Sequence, residues 1–191
     1  MACRRYNDNN KKPILFIKNM TPEEIKGTKF EIFLEKILRQ TNLKNIHRNV
    51  EFHKSKYLYR QVDLIAWNIE QTKITKYAIE AKYSTNQIIN YDFRRKIKRK
   101  TQHGEIILTN IIDQIQERQQ FIQYDATILI TNTDFEKKII KEAKNKKIIL
   151  LNGQDLQTIY IKLGYADNIQ DVIKNTQINW NDKYKNKIML R

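Results

Sequence analysis

The sequence predicts an α/β domain in which a mixed β-sheet is flanked by helices on both faces. Three observations predict this fold. An amphipathic helical segment begins near residue 21, antiparallel strand-like segments follow between residues 46 and 83, and helical and strand-like segments alternate from residue 109 onward. Such alternation is typical of parallel strands joined by crossover helices, so the complete sheet must contain both parallel and antiparallel strands.

The first helix is predicted to begin at Thr21. Thr21 is a suitable N-cap, Pro22 suits the first helical position, and Glu24 would complete a capping box. The apolar residues that follow recur at helical spacing and predict one buried stripe: Phe30, Phe33, Leu34, Ile37 and Leu38. Glu31 lies beside this stripe rather than opposite to it.

Three strand-like segments follow, at about residues 46–53, 57–67 and 73–83. The link NIEQTK between the second and the third predicts a hairpin turn. Because side chains alternate along a strand, Glu80 and Lys82 are expected on the same face of the sheet. A hairpin that turns near residue 70 places Asp63 opposite position 78 or 80. We therefore expect two acids and a lysine to converge, although buried charges are costly unless they are paired or bind a metal.

The second half of the chain is expected to alternate helices, at 109–123, 134–146 and 154–165, with strands at 125–132 and 147–153. Neither strand shows polar alternation, so both are predicted to be central strands. Asp134 is the expected N-cap of the second of these helices. Residues 1–20 are predicted to form a basic arm and residues 166–191 a basic tail, on either side of a domain at 21–165.

The chain carries 36 Lys and Arg residues against 21 Asp and Glu, a formal net charge of +15 at pH 7. A basic chain of this size is expected to bind a polyanion, most often nucleic acid. The cations concentrate within residues 93–100: Arg94, Arg95, Lys96, Lys98, Arg99 and Lys100. We expect these six residues to bind DNA through its phosphates, and a solvated basic loop is the alternative.

Cysteine content and hydropathy bear on the compartment. A single cysteine, Cys3, provides neither a disulfide framework nor a zinc site, which favours a reducing compartment. No apolar stretch approaches the length of a membrane span, and the N-terminus lacks the apolar core of a signal peptide, so no membrane partner is expected. The expected location is the cytoplasm, in association with the nucleoid, and an organelle address for the basic N-terminus stays open.

The expected convergence of Asp63, Glu80 and Lys82 suits a specific chemistry. Carboxylate oxygens bind hard divalent cations such as Mg²⁺, and a bound metal polarises a phosphate and lowers the pKa of its water. A lysine beside them stabilises the charge that develops in the transition state. The three residues therefore predict metal-assisted phosphodiester hydrolysis. The alternatives are an Asp63–Arg60 ion pair and a solvated strand face that carries Glu80 and Lys82.

These residues also carry a family resemblance. Asp63, followed 17 residues later by Glu80-Ala81-Lys82, with Glu31 upstream on a helix, resembles the PD-(D/E)XK nuclease superfamily. Over about residues 22–165 the chain is similar to the Mrr-like restriction endonuclease branch. This similarity lies in the opening helix GTKFEIFLEKIL and in the closing segments ATILITNTDF and AKNKKIILLNGQDL.

The resemblance implies a restriction-endonuclease-like fold and a set of functional residues. Asp63, Glu80 and the carbonyl of Ala81 would bind Mg²⁺, with Mn²⁺ as a substitute metal. Lys82 would be the catalytic lysine, and Glu31 would bind the metal directly or through water, with an exposed helix residue as the alternative. The chain departs from the branch twice, in Glu80, where a glutamine is frequent, and in the long basic stretch 84–112.

Several functions remain open within this framework. The first is an Mg²⁺-dependent DNA endonuclease that leaves 5′-phosphates, as a homodimer because cutting both strands needs two sites. Its substrate would be a foreign or modified duplex, a four-way junction as in Holliday-junction resolvases, or the long site of a homing enzyme. A non-catalytic nucleic-acid-binding protein that retains the nuclease fold is the second function, and a basic ribosomal or nucleoid protein is the third.

The remaining polar and aromatic residues receive structural or no assignments. Four tyrosines are expected to pack in the sheet: Tyr57, Tyr59, Tyr77 and Tyr83. The three histidines have no metal-ligand spacing. Gln114 and Gln116 follow the predicted site in the chain and could contact DNA or the edge of the site.

Overall fold

A computed structural model describes residues 4–5, 20–85, 88–179, 182 and 185–190, and the side chains of 4–5 and 93–97 lie outside the description. The strands in these residues are β1 (Arg4–Arg5), β2 (Lys44–His53), β3 (Tyr59–Ile69), β4 (Ile74–Lys82), β5 (Ile88–Ile89), β6 (Asp92–Thr101), β7 (Gly104–Asn110), β8 (Ala126–Thr131), β9 (Asp134–Phe135), β10 (Ile148–Leu151) and β11 (Asn186–Met189). The helices are α1 (Pro22–Leu38), α2 (Ile111–Ile122), α3 (Lys137–Asn145), α4 (Gly153–Lys162) and α5 (Ile169–Asn175).

The main sheet has seven strands in the order β1-β11-β2-β3-β4-β8-β10. Strands β2, β3 and β4 pair antiparallel, whereas β8 is parallel to both β4 and β10. The sheet is therefore mixed, as the sequence predicts. The prediction that residues 147–153 form a central strand is wrong, because β10 lies at the edge of the sheet. Its apolar run reflects packing against α3 on one face and α4 on the other, which does not require a central position.

Helices cover both faces of the sheet. On one face, α1 packs with α4 and α5 over a core that contains Leu64, Ile79 and Ile130. On the other face, α2 and α3 cover alternate residues of the same strands, such as Ala78 and Leu129. Period-two alternation along β4 and β8 divides the apolar residues between the two layers, and the predicted fold class is confirmed.

Helix α1 begins as its sequence predicts. The Thr21 hydroxyl accepts from the Glu24 backbone N–H at 3.2 Å, and the Glu24 carboxylate accepts from the Thr21 N–H at 2.8 Å. This capping box fixes the first turn. The predicted stripe is buried in the first core, and it places the neighbouring residue Glu31 close enough to Asp63, Glu80 and Lys82 for their charges to interact.

The start of α3 differs from the prediction that Asp134 caps it. Asp134 belongs to the short strand β9, which pairs in parallel with β5, and its carboxylate accepts from the Phe135 N–H at 2.8 Å. The helix begins three residues later, after Glu136, which makes no side-chain capping bond. The β5–β9 pairing keeps the chain extended at Asp134 and so delays the helix.

The described part of residues 166–191 packs against the domain. Ile169 and Ile173 of α5 lie in the first core, and β11 pairs in parallel with β2. The boundaries of the arm, domain and tail stay predictions, and most of residues 1–20 lies outside the described residues. Within the described ranges, no helix is both long enough and apolar enough to cross a membrane.

The basic stretch after β4 forms an antiparallel two-stranded sheet of its own, β6–β7, which we call the ribbon (residues 92–110). Its strands are joined by a tight turn at 101–104, and β7 leads directly into α2. The expected alternative of a basic loop is wrong for the backbone, because residues 93–100 lie within β6 and residues 97–100 pair with residues 105–108 of β7.

Candidate active site

The β3–β4 hairpin brings the two predicted strand acids together. Its turn spans residues 70–73, where the Glu70 N–H donates to the Lys73 carbonyl at 2.9 Å. The register pairs Leu64 with Ile79, so one residue further Asp63 lies beside Glu80. A carboxylate oxygen of Asp63 accepts from the Ala81 backbone N–H at 2.9 Å. This bond fixes the carboxylate at the point where β3 and β4 present their acids.

Lys82 completes the cluster on the same face of β4 as Glu80. Its ammonium donates to one carboxylate oxygen of Glu80 and lies 4.0 Å from the Asp63 carboxylate. Burial alone would lower the pKa of Lys82, but the charges of Glu80 and Asp63 raise it above its ordinary value. The ammonium is therefore charged at neutral pH and acts as a hydrogen-bond donor there.

The two acids differ in their pKa although they are neighbours. Burial, together with the charge of Glu80, raises the pKa of Asp63 to about 6. Burial also acts to raise the pKa of Glu80, but the charges of Arg118 and Lys82 outweigh it and lower that pKa to about 2. Glu80 is thus ionised throughout the neutral pH range, whereas the carboxyl group of Asp63 is the one whose ionisation is disfavoured by burial and by its neighbour.

Arg118, from α2, is the site residue that the sequence analysis does not identify. Its guanidinium donates to the second carboxylate oxygen of Glu80, so each oxygen of this buried acid has a cationic partner. Gln114, one helical turn earlier, accepts from Arg118 at 2.6 Å and from Arg99 at 3.1 Å when its amide oxygen faces them. The sequence signal for Arg118 is its i, i+4 spacing from Gln114, which places both polar side chains on the apolar face of α2.

Glu31 lies at the edge of this cluster. Burial and the charge of Asp63 raise its pKa to about 8, against the opposing charges of Arg48 and Lys82. The Arg48 guanidinium is 3.8 Å from the Glu31 carboxylate, and it also binds Glu35 at 3.2 Å. The carboxyl group of Glu31 thus interacts with the charges of Asp63, Glu80 and Lys82. It also lies next to the guanidinium of Arg48.

The donor set fits a hard divalent metal in chemical type. Across the ranges that the structure describes, no three His, Cys, Asp or Glu side chains are grouped as a ready metal site. Asp63 and Glu80 nevertheless offer neighbouring carboxylates beside the backbone of Ala81, with Glu31 close enough for the charges to interact. An all-oxygen set of this kind suits Mg²⁺ or Mn²⁺ and is unsuited to softer metals.

Arg60 binds Glu117, whereas the alternative assignment requires an ion pair between Arg60 and Asp63. Its Nε lies 2.7 and 2.8 Å from the two carboxylate oxygens of Glu117 on α2. Its Nη2 also donates to the Lys100 backbone carbonyl at 2.5 Å. Arg60 therefore connects β3, α2 and the ribbon and leaves Asp63 to the cluster with Glu80 and Lys82.

The six predicted DNA-binding cations do not share one surface. Lys98 is 73% exposed, and its ammonium lies 3.3 Å from Glu105. Lys100 is also exposed, whereas Arg99 turns inward to the vicinity of Gln114 and Arg118. The side chains of the other three, Arg94, Arg95 and Lys96, lie outside the described residues.

The four tyrosines divide into two pairs. Tyr77 and Tyr83 are packed against the first core, as expected. The expectation is wrong for Tyr57, which is 85% exposed, whereas Tyr59 is half-exposed and stacks on its cross-strand partner His53, with ring centroids 5.0 Å apart. Both lie in or beside the β2–β3 turn.

Comparison with solved structures supports the same architecture. The chain superposes on the protein of unknown function AF1548 with a TM-score of 0.53 and 13% identity, over 81% of both chains. At this identity the likeness shows the fold. Two further matches are the DNA modification-dependent restriction endonuclease AspBHI, with a TM-score of 0.47 and 16% identity, and the MspJI restriction endonuclease in complex with a 27-mer oligonucleotide, with 0.45 and 11%.

Coverage of these two enzymes is partial. The matches use 83% and 86% of this chain but only 41% of the AspBHI chain and 34% of the MspJI chain. No curated protein matches the chain in sequence. The restriction endonuclease family Mrr_cat matches residues 22–160, which begin at the first residue of α1, run through β3, β4 and α2, and end within α4. Since this match spans more than half of the sequence and includes Asp63, Glu80 and Lys82, the chain belongs to the Mrr-type restriction endonuclease family, a family of nuclease domains.

Proposed function

We propose that this protein is a metal-dependent DNA endonuclease that hydrolyses phosphodiester bonds. The observation that carries the proposal is the convergence of Asp63, Glu80 and Lys82 on one hairpin, with Asp63 fixed by the Ala81 N–H at 2.9 Å. Two neighbouring buried acids are costly because each raises the cost of ionising the other, and a bound cation would offset that cost.

Asp63, Glu80 and the carbonyl of Ala81 would hold the metal, and Glu31 would bind it directly or through a water molecule. The metal, when bound, would supply Lewis-acid polarisation of the phosphate and a water of lowered pKa. Glu80 is suited to this role because it stays ionised, and Asp63 because its backbone hydrogen bond orients it.

Lys82 acts in the proposal as a donor rather than a base. Its raised pKa keeps the ammonium protonated at neutral pH. A protonated lysine beside the two acids can hydrogen-bond a phosphate oxygen and stabilise charge that develops on it. Arg118 is the second cation that can contact a phosphate, once Glu80 no longer binds it.

The charge of the chain supports DNA as the substrate. The net charge is +15, and exposed Lys98 and Lys100 lie on the ribbon that adjoins the site through Arg99. Phosphate neutralisation by such cations provides most of the sequence-independent affinity for DNA. Cleavage of both strands needs two sites, so the proposal includes a homodimer.

A non-catalytic DNA-binding protein is the second candidate. The observation that favours it is the full pairing of Glu80, whose two oxygens contact Lys82 and Arg118. A site that never binds metal would be stable in this arrangement. The two candidates differ in whether a divalent metal can displace Arg118 from Glu80.

Incubation of the protein with Mg²⁺ and two labelled DNAs, a four-way junction and a linear duplex of matched sequence, tests the proposal. We expect cleavage by the wild type and none by Glu80→Ala. Paired symmetric cuts in the junction alone indicate a resolving enzyme, whereas cuts in the duplex indicate a restriction or homing enzyme, which cut-site mapping separates. Tight binding without cleavage of either DNA contradicts the endonuclease and favours the second candidate.

A further inference from the structure

We propose that the ribbon is the specificity element of this nuclease, which enters the major groove of duplex DNA with its outer face on the backbone and its tip on base edges. This inference rests on the proposed function and names the contact that would select the cleaved sequence. The major groove of B-DNA is wide enough to admit a two-stranded β-ribbon, and its base edges carry a unique pattern of donors and acceptors.

The ribbon has one face against the protein and one face in solvent. The register pairs Arg99 with Ile106 and Lys98 with Ile107. Arg99 faces the site region, and Leu108, which alternates with Ile107, is buried. Lys98 is 73% exposed and Ile107 is 54% exposed, so they mark the outer face. Among the described side chains, this outer face carries the cations Lys98 and Lys100, and Glu105 lies 3.3 Å from the Lys98 ammonium.

The ribbon is attached to the catalytic strand by a buried bridge. Arg60 lies three residues before Asp63 on β3, and it donates to the Lys100 carbonyl of β6 at 2.5 Å. The same guanidinium binds Glu117 of α2, next to Arg118, and lies 4.9 Å from the centre of the Phe121 ring. Buried charge-assisted contacts of this kind hold a fixed geometry. The ribbon therefore has a defined position relative to the two acids.

The ribbon tip presents polar side chains on a rigid turn. The Thr101 hydroxyl donates to the Gly104 carbonyl at 3.0 Å and accepts from the His103 N–H at 3.1 Å. Gly104 has a φ of +113°, which a residue with a Cβ rarely adopts. Gln102 and His103 are exposed at this turn. An amide and an imidazole can each donate and accept, as base-edge contacts require.

The neighbouring β2–β3 turn extends the basic surface beside the tip. Lys54 Nζ lies 3.5 Å from the Gln102 amide oxygen, and Lys56 and Tyr57 are exposed on the same turn. These cations can bind the phosphates that border the groove, which position a protein without reading its sequence. We therefore assign the base contacts to Gln102 and His103.

The geometry favours duplex DNA over RNA and limits where it is cut. The major groove of A-form RNA is deep and narrow, so a ribbon cannot read base edges in it. Arg99 adjoins the site, and the tip lies three to four residues further along β6, which corresponds to roughly 10–13 Å. The bases contacted by the tip should therefore lie within about four base pairs of the scissile phosphate, at the spacing of B-DNA.

Binding in EDTA tests this inference without requiring cleavage. Fluorescence anisotropy measures the affinity of the full-length protein for labelled random-sequence DNA and RNA duplexes, and selection from the random DNA pool measures sequence preference. The ribbon variant is Lys98→Gln with Lys100→Gln, and the tip variant is Gln102→Ala with His103→Ala. The charge-matched control is Lys162→Gln with Lys174→Gln, on exposed positions of α4 and α5, which cover the opposite face. Thermal melts establish that every variant is folded.

We expect the ribbon variant to lose about tenfold in DNA affinity at physiological salt, with a shallower salt dependence, and the control to lose far less. The tip variant should keep most of its affinity but lose the sequence preference that the wild type selects. Equal losses in the ribbon variant and the control, equal affinity for DNA and RNA, or a preference unchanged in the tip variant overturns the inference. If the wild type cuts DNA while these results appear, the endonuclease stands and only the ribbon assignment fails. If the ribbon and tip variants behave as expected but the wild type cuts no DNA, the ribbon assignment stands and the endonuclease proposal fails.

Discussion

Two buried ion pairs involve neighbouring residues of α2, but only one of the pairs contains a candidate metal ligand. Glu117 binds Arg60 of β3 through two short contacts, and this pair also holds the ribbon. Arg118 binds Glu80 of β4, which is itself a candidate metal ligand. The first pair can persist through a catalytic cycle. The second competes with metal binding, because Lys82 and Arg118 each occupy one oxygen of Glu80.

Similar burial of two ion pairs thus does not imply a similar role. A buried pair contributes little net stability over well-packed apolar residues, but loss of one partner leaves an uncompensated charge. For Arg60–Glu117 nothing in the proposed function replaces a lost partner. For Arg118–Glu80 a divalent cation can take the place of the arginine. Loss of the arginine should therefore be compensated by added metal in the second pair and not in the first.

The largest expected effect is on cleavage. Glu80→Gln removes the charge of a proposed metal ligand and should reduce the cleavage rate by about a thousandfold or more. Glu117→Gln makes the same chemical change on the structural pair and should reduce the rate less than about tenfold, at a temperature where it is folded. Single-turnover rates on a labelled duplex measure both. Equal losses in the two variants would show that the distinction between the pairs is wrong.

The next effect is on stability. Arg60→Met leaves Glu117 without its arginine and should lower the free energy of unfolding by about 3 kcal/mol in EDTA, whereas Arg118→Met leaves Glu80 paired with Lys82 and should lower it by about 1–3 kcal/mol. Addition of Ca²⁺ or Mg²⁺ should restore part of the loss in Arg118→Met and none in Arg60→Met, because only Glu80 belongs to the proposed metal site. Urea denaturation with and without metal measures this difference, and rescue of both variants or of neither would refute it.

A smaller effect concerns Asp63 and has a defined pH dependence. Its pKa in the folded protein, about 6, is above the ordinary value of 3.8, so ionisation of Asp63 opposes folding above pH 6 and has no effect below pH 4. Asp63→Asn should therefore raise the free energy of unfolding by about 1–3 kcal/mol at pH 8 in EDTA. The gain should shrink as the pH falls towards 4. Thermal melts across this pH range test the prediction. A loss of stability in Asp63→Asn at pH 8 would contradict the raised pKa of Asp63.

Some of the site follows from the sequence because it depends on local geometry. The positions of Asp63, Glu80 and Lys82 need only the two-residue period of a strand and the location of the hairpin turn. The capping box of Thr21 and Glu24 is likewise local, and the apolar stripe of α1 follows from helical spacing. These features were predictable before any tertiary contact was known.

The parts that the sequence does not predict depend on how distant elements cross. Arg118 reaches Glu80 only because α2 covers the face of β4 that carries the acid, an arrangement set by packing between segments 38 residues apart. The edge position of β10 and the β5–β9 pairing that delays α3 have the same origin. Long-range packing overrides local propensity at such places.

The most direct measurement is single-turnover cleavage by Asp63→Asn beside the wild type, with Mg²⁺ and with EDTA. The account predicts a folded, more stable variant that binds DNA as the wild type does and cuts none of it, whereas the wild type cuts only with Mg²⁺. Cleavage by Asp63→Asn at the wild-type rate, or wild-type cleavage that persists in EDTA, would contradict the assignment of the active site to the β3–β4 hairpin.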